Sequence, residues 1–511
     1  MNQSVPRIDT VAVLTPESLV VGLYFGLLVC LSIYGAHRCY LLYLYTRYRP
    51  PLPDDACSMA SGDVPFVTVQ LPIYNEMYVV ERLIDAAARL DYPRDRFEIQ
   101  VLDDSTDETR QIVKRAVTRW AARGLSIHLL HRVVRRGYKA GALADGLRRA
   151  RGELVAIFDA DFVPPRDFLM RAAPSLRDPG VGMVQARWGH VNQEYSWLTR
   201  VQAMLLDAHF VLEHGARSRG GCFFNFNGTA GIWRKTAIEE AGGWQSDTLT
   251  EDLDLSYRAQ LAGWRFVFLP DLVAPAEVPV EMNAFKAQQH RWAQGSIQTC
   301  RKILPAVLRA NLPTRVKVEA FFHLTANFNC PLLVLLSLVM VPAMFLRTAS
   351  GGAAVLLVDA LFFCAATLSL VNFYVVSQRA VRRDWISRIR YIPLAMAVGI
   401  GLSVNNTHAV LVALTGKGGA FDRTPKYGVV NRDDEWFTKR YRQWVVGQPM
   451  IELAFGGYFT VGVVYAFTAG MFAALPFLCL FQFGFLYLAV VSLMQQLGGE
   501  GIVLRTQVAG E

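Results

Sequence analysis

The sequence predicts an α/β domain with a mostly parallel sheet, inserted between membrane segments. Three observations carry that prediction. Between Pro65 and Arg301 short apolar runs alternate with amphipathic stretches, the pattern of strands and helices layered around a parallel sheet. The hydrophobic excess, 52% of 511 residues, gathers at the N-terminus and after about residue 320. Acidic residues recur where the central apolar runs stop, at the carboxyl ends of strands, where such sheets bind ligands.

The elements follow in order. Leu19–Tyr45 is apolar apart from His37 and Arg38 and is followed by Arg47 and Arg49. A secretory leader carries its basic residues before the apolar run and a small-residue cleavage site after it. Here the charge follows the run, so residues 1–50 read as a retained anchor with its C-terminal end in the cytoplasm. Residues 65–305 form the predicted cytoplasmic domain: Phe66–Leu71, Phe97–Leu102, Leu125–Leu130, Leu154–Phe158 and Val181–Gln185 read as strands, Tyr78–Leu90 and Thr106–Ala122 as helices. Residues 320–495 hold four runs, Phe328–Phe345, Ala353–Val376, Ile451–Phe467 and Met471–Leu493, near the roughly 20 residues a bilayer crossing takes. A fifth, Ile392–Leu414, carries Asn405, Asn406 and His408 between the basic stretches Arg382–Arg390 and Lys417–Arg442. Basic flanks face the cytoplasm, and a run of that length cannot cross twice. It is therefore expected to lie at the interface or re-enter, with a single crossing as the alternative.

Composition excludes several classes. A net charge of +9 without a Lys/Arg-rich tail fits the cytoplasmic loops of a membrane protein rather than nucleic-acid binding. The 8 cysteines are scattered without CxxC spacing, so neither a disulfide framework nor a zinc site is indicated.

The chemistry sits at the ends of the elements. The first strand runs into Pro72–Glu76, with Tyr74 and Glu76, and the second ends at Asp103 and Asp104. Ser105 and Glu108 fit a capping box for the next helix; the two aspartates have no such explanation, and an acid at a strand end can hydrogen-bond a ribose. Leu154–Phe158 leads into Asp159-Ala160-Asp161. Two carboxylates after a buried strand are costly unless solvated or bound to a cation, and Mg²⁺ or Mn²⁺ bridges carboxylates to substrate phosphates. Lys139 opens a helix after a basic turn, where it could meet a phosphate or simply face solvent. Thr250-Glu251-Asp252 starts another helix; this is ordinary capping chemistry, and also a place that keeps a general base ionised. Gln288, Arg291 and Trp292 put a cation beside a flat aromatic face, suited to a leaving diphosphate and a sugar ring or to an interfacial anchor.

In this order Asp103, Asp159-Ala160-Asp161, Thr250-Glu251-Asp252 and Gln288 to Trp292 resemble the D, DxD, TED and QxxRW motifs of the family 2 inverting glycosyltransferases. Among these the chain looks like the processive membrane synthases, cellulose synthase and the cellulose-synthase-like glucomannan and glucan synthases. DxD alone is weak; the four in register are specific. The resemblance covers about residues 65–300 and the membrane arrangement after them. Phe421–Gly428, within the segment 417–449, is similar to their cytoplasmic gating loop, in a spelling nearer the mannan-type members.

The resemblance implies a GT-A type nucleotide-sugar-binding domain. Tyr74, Glu76, Asp103 and Asp104 would surround the nucleoside and Lys139 the diphosphate. Asp159 would lie near the nucleotide and share a metal, Mg²⁺ or Mn²⁺, with Asp161, its more direct ligand. Glu251 would line the substrate and Asp252 deprotonate the acceptor hydroxyl, so that one in-line attack turns an α-linked donor into a β-glycoside. Gln288, Arg291 and Trp292 would line the acceptor end. UDP-glucose or GDP-mannose is the expected donor and a β-glucan or β-mannan, coupled to export, the expected product, with membrane lipid and accessory export subunits as partners and no nucleic acid. The expected site is a bacterial inner or plasma membrane, or the Golgi membrane in a eukaryote. A non-processive lipid glycosyltransferase shares most of these motifs. A transporter with a nucleotide domain fits less well, for no internal repeat appears. In a departure from many bacterial cellulose synthases, about 18 residues follow the last apolar run, so regulation through a cyclic-dinucleotide-binding domain is not expected.

Overall fold

A computed structural model of the chain describes residues 15–48, 64–349, 353–416, 423–441 and 447–508. Phe421 and the rest of 417–422, the stretch 442–446 and residues 1–14 and 49–63 of the expected anchor and its linker lie outside them.

The anchor helix α1 (Pro16–Arg47) starts with Thr15 accepting a hydrogen bond from the Ser18 amide and proline in its first turn, both helix-start devices. The elements of the expected α/β domain then alternate: β1 (Val67–Ile73), α2 (Val80–Ala88), β2 (Phe97–Asp103), α3 (Thr109–Ala121), β3 (Ile127–His131), α4 (Tyr138–Arg149), β4 (Leu154–Ile157) and α5 (Phe168–Ala172). After them come β5 (Val181–His190), α6 (Trp197–Ala208), α7 (Gly215–Arg219), β6 (Gly231–Arg234), α8 (Lys235–Glu240), α9 (Glu251–Leu261) and β7 (Arg265–Ala276). They build one seven-stranded sheet in the order β3-β2-β1-β4-β6-β5-β7, parallel except at β6. β1 pairs with β2 on one side and β4 on the other, so the chain switches direction there and opens a crevice at the strand ends. Strand residues alternate between two cores. Val67, Val69 and Leu71 pack with α2 and α3, while Val155, Ile157 and Met183 pack with α4, α8 and α9.

The expected capping box does not form. α3 begins at Thr109 after Glu108, whose side chain caps nothing. Asn75 sits at φ 54°, a left-handed turn that asparagine tolerates. There its amide donates to Ser105 Oγ (2.9 Å) and its Oδ1 accepts from the Thr106 amide (2.8 Å). Residues 105 and 106 thus tie two strand-end loops together instead of starting a helix.

The remaining helices are α10 (Met282–Arg309), α11 (Thr314–Thr325), α12 (Asn329–Ala349), α13 (Ala353–Val381), α14 (Trp385–Arg388), α15 (Ile392–Leu414), α16 (Gly447–Thr468) and α17 (Leu475–Val508). Among the described residues six helical stretches are long and apolar enough to cross a membrane: Pro16–Arg47, Thr314–Arg347, Leu361–Val381, Trp385–Leu414, Gly447–Thr468 and Leu475–Leu497. Trp385–Leu414, the run expected to be interfacial or re-entrant, is 61% buried in protein against 22–39% for the other five. Small residues bring it that close. A Cβ on Gly401 would stand 2.6 Å from the Gly484 carbonyl oxygen on α17, and one on Gly484 2.4 Å from that of Ala397, the close approach that glycine permits between helices.

Candidate active site

A cavity of about 180 Å³ opens where β1 and β4 end, and residues from the sheet, α4, α9, α10 and the segment 423–426 line it. Tyr74 and Glu76 leave β1 into it. The Arg135 guanidinium lies 3.5 Å from the Tyr74 ring centroid and 4.9 Å from that of Tyr138, a cation–π sandwich. Arg132 grips Asp104 through both carboxylate oxygens (2.7 and 2.5 Å). Glu76 pairs with Arg423 at 3.0 Å; burial pushes its carboxyl up to about 8 even so.

Asp103 is placed differently. It is fully buried, its oxygens accepting from the Ser105 amide (3.0 Å) and meeting His131 Nδ1 (2.9 Å). It does not line the cavity, contrary to the expectation of nucleoside contact: the parallel pleat turns it beneath the strand-end loop and leaves Asp104 facing the cavity. The strand-end pattern did not distinguish the two aspartates, of which Asp104 alone lines the cavity.

After β4, Asp159 pairs with Lys139 at 2.5 Å and Asp161 with Lys426 at 2.6 Å. Lys139 stands in the first turn of α4, after Gly137 at φ 72°, and its ammonium also donates to the Gly228 carbonyl at 3.0 Å. Burial works against its charge, but Asp159 and Glu251 more than offset that and raise it above the ordinary lysine value. Among the described residues no cluster of three or more His, Cys, Asp or Glu side chains could hold a metal unaided. Two cavity carboxylates completed by phosphate oxygens nevertheless suit Mg²⁺ or Mn²⁺, so Asp159 and Asp161 fit such an ion bound with its substrate.

Thr250 precedes α9 without capping it through its side chain; its hydroxyl meets Thr299 on α10 at 3.1 Å. Gly295 makes that approach possible, since a Cβ there would lie 2.6 Å from the Thr250 methyl carbon. The turn so held directs Glu251 and Asp252 at the cavity. Burial, and next the charge of Glu251, push the Asp252 carboxyl up to about 7. A Cβ on Gly228 would come within 2.9 Å of Asp252 Oδ2, and φ there is +81°, so only glycine fits beside the acid. Gln288, Arg291 and Trp292 line the cavity from α10, at the i, i+3, i+4 spacing of one helical face. Two residues before Gln288, Lys286 fixes α10 to the apolar helices α16 and α17, with Glu452 at 2.6 Å and Ser492 at 2.8 Å.

The cavity thus gathers Tyr74, Glu76, Asp104, Lys139, Asp159, Asp161, Glu251, Asp252, Gln288, Arg291 and Trp292, with Asp103 behind it. It adds Arg135, Trp188, His190, Asn227, Arg423 and Lys426, none singled out from sequence. Arg135 lay in the basic turn before Lys139 and Lys426 in the segment similar to a gating loop; Trp188, His190 and Asn227 carried no signal.

Residues 65–295 match the family described as glycosyltransferase like family 2. The chain carries a family 2 glycosyltransferase domain. It is 46% identical over 294 residues to glucomannan 4-beta-mannosyltransferase 2 of Arabidopsis thaliana, a match covering 55% of each chain. To glucomannan 4-beta-mannosyltransferase 1 of Oryza sativa subsp. japonica it is 43% identical over 288 residues, again 55% of each. The match thus spans little more than half the length of these relatives. In structure, the chain superposes on a mannosyltransferase from Pyrobaculum calidifontis, solved with GDP-Man and Mn²⁺. The TM-score is 0.51 and the identity 26%, over 79% of this chain and 99% of that one. The fold is of the expected GT-A type, flanked by apolar helices.

Proposed function

We propose that the chain is a membrane-bound inverting glycosyltransferase that moves mannose from GDP-mannose onto a growing β-linked glycan, with its catalytic domain on the cytoplasmic side. The single observation that carries this reading is Asp252, lodged beside Lys139, Asp159 and Arg291 in one cavity. The sugar is favoured by the 43–46% identity to enzymes named glucomannan 4-beta-mannosyltransferases and by the GDP-Man-bound neighbour.

In this reading Asp252 takes the proton of an acceptor hydroxyl. The hydroxyl oxygen forms a bond to the anomeric carbon as the bond from that carbon to the diphosphate oxygen breaks, on the opposite face. Lys139 and Arg291 meet the charge that collects on the departing diphosphate. A divalent ion held by Asp159 and Asp161 would supply further charge neutralisation there. Trp292 offers a flat face to the acceptor ring, and Tyr74 with Arg135 a platform for the base.

The test is incorporation of radiolabelled sugar by the protein in lipid nanodiscs, with GDP-mannose and UDP-glucose compared and the product digested by linkage-specific glycanases. A β-mannanase-sensitive polymer made from GDP-mannose is expected. A single labelled glycolipid would establish the lipid-transferase alternative instead, and no transfer from either donor would overturn the reading. EDTA is expected to stop incorporation and Mn²⁺ or Mg²⁺ to restore it; turnover indifferent to EDTA removes the ion.

A further inference from the structure

The helix that leaves β5 towards the membrane is not uniformly α-helical. Between α6 and α7 the backbone takes a π-helical turn over His209–His214. One extra residue per turn is a costly irregularity that collects at functional sites. Here it turns two histidines towards Asn227, a cavity residue.

The hydrogen bonds define one orientation. The Asn227 amide nitrogen can only donate, so at 3.0 Å His209 Nε2 is the acceptor. The His209 proton is then on Nδ1, which donates to Glu213 Oε2 at 3.0 Å. His214 Nε2 donates to Asn227 Oδ1 at 2.6 Å and to the Asn225 carbonyl at 3.0 Å. Both ends of the carboxamide are held. One N–H and one oxygen lone pair remain for other partners. The neighbouring Gly228 receives Lys139 on its carbonyl and lies against Asp252, so Asn227 stands next to the base and the donor's cation.

The histidines are braced from the other side. Glu213 accepts from Arg217 Nη1 at 3.3 Å, and Arg217 Nε donates to Glu319 Oε1 on α11 at 2.9 Å. The other oxygen of Glu319 meets His37 Nε2 on the anchor helix α1 at 2.7 Å. Arg217 and Glu319 are buried, their side chains 3% and 0% exposed. Replacing such buried ion pairs with apolar side chains commonly costs no stability, so their worth is sought in what they orient.

We propose that His209 and His214, braced through Glu213, Arg217 and Glu319 on His37, are positioning residues that hold the Asn227 carboxamide towards the hydroxyl groups of the acceptor sugar. Acceptor placement is thereby tied to the seating of the domain on its membrane anchor. The inference rests on the transferase reading above. It separates two steps that share the cavity: the donor is bound without this network, whereas the acceptor is aligned through it.

Two substitutions of His209 test it. Phe removes the acceptor nitrogen and keeps the ring, while Gln places a polar atom at the reach of Nε2. With His209→Phe, sugar incorporation is expected to fall by up to about a hundredfold, with the donor KM unchanged and nucleoside diphosphate still released by hydrolysis to water. His209→Gln is expected to recover most of the incorporation. Asn227→Ala, which deletes the carboxamide and leaves the histidines in place, should reproduce the His209→Phe signature. Wild-type incorporation by Asn227→Ala, or loss of donor binding in parallel with incorporation in the His209 variants, overturns the proposal. Absence of transfer in the wild-type protein would instead overturn the transferase reading.

Discussion

The two halves of the cavity are held in different ways. On the side proposed to take the donor, the ends of β1 and β4 present Glu76, Asp104, Asp159 and Asp161, each paired with an arginine or lysine within 3.0 Å. On the side proposed to take the acceptor, Asp252 forms no ion pair among the described residues; its Oδ1 accepts from the Leu253 amide at 2.8 Å, and Gly228 packs against its Oδ2. The donor side is organised by charge and the acceptor side by close packing against helices that lead into the membrane. A charge deletion should therefore act first on donor affinity, and a change near Asp252 on transfer itself.

The largest expected effect follows from that division. Asp252→Asn keeps the shape of the turn and removes the base, so transfer is expected to fall by about a thousandfold or more while calorimetry finds donor affinity unchanged. Donor binding lost together with transfer would mean that Asp252 belongs to the donor side after all, and the two halves would merge.

Which parts were legible in the sequence follows the same line. Asp104, Asp159 and Asp252 stand where a strand ends or a helix begins, and local rules place such residues at the crevice of a parallel sheet. The partners of these acids were not legible. Lys426 reaches Asp161 across 265 residues of chain, and His37 reaches Glu319 across 282. In the sequence His37 is only an interruption of an apolar run. The π-helical turn was invisible for another reason: one added residue shifts the helical phase, but α7 after it has only five residues in which the shift could show, and only the three-dimensional course reveals that His209 and His214 face one asparagine. The apolar runs, by contrast, match the helices α12, α13 and α16 to within about five residues at each end, because length and hydropathy are local properties; α17 starts near its run but continues to Val508, well past Leu493.

Lys139 stands at the seam, with Asp159 on one side and the Gly228 carbonyl on the other. Lys139→Met removes a charged hydrogen-bond donor, an interaction of about 1.5–3 kcal/mol. A rise of about tenfold or more in donor KM is expected, accompanied by a fall in transfer at saturating donor because Gly228 loses its tether. A change in KM alone would confine Lys139 to the donor side.

A smaller effect appears in the pH profile. In the proposed role of base Asp252 acts only when deprotonated, and its carboxyl is pushed up to about 7 by burial and then by the charge of Glu251. Transfer at saturating donor should therefore decline as pH falls through about 7 and level off above it. Glu251→Gln removes the neighbouring negative charge, makes deprotonation of Asp252 easier and should move that decline to lower pH. An acid limb that stays in place would assign it to another group, with Glu76, pushed up to about 8 on the donor side, as the first to examine.

The smallest effect on catalysis is expected at Asp103, and it sharpens the comparison because the sequence made this residue look like a donor ligand. Its two oxygens are engaged by the Ser105 amide and His131, and it is fully buried. Asp103→Asn keeps the volume but replaces one acceptor oxygen with an NH₂, which must face either an amide proton or the imidazole. The cost should appear as stability, about 1–3 kcal/mol by thermal unfolding, with donor KM held within about twofold. Asp104→Asn, one residue on, weakens the grip of Arg132 inside the cavity and should raise donor KM. If the two variants behave alike, the strand end acts as a single acidic unit; if they separate as expected, the division between a residue that shapes the loop and one that meets the donor falls between two consecutive aspartates.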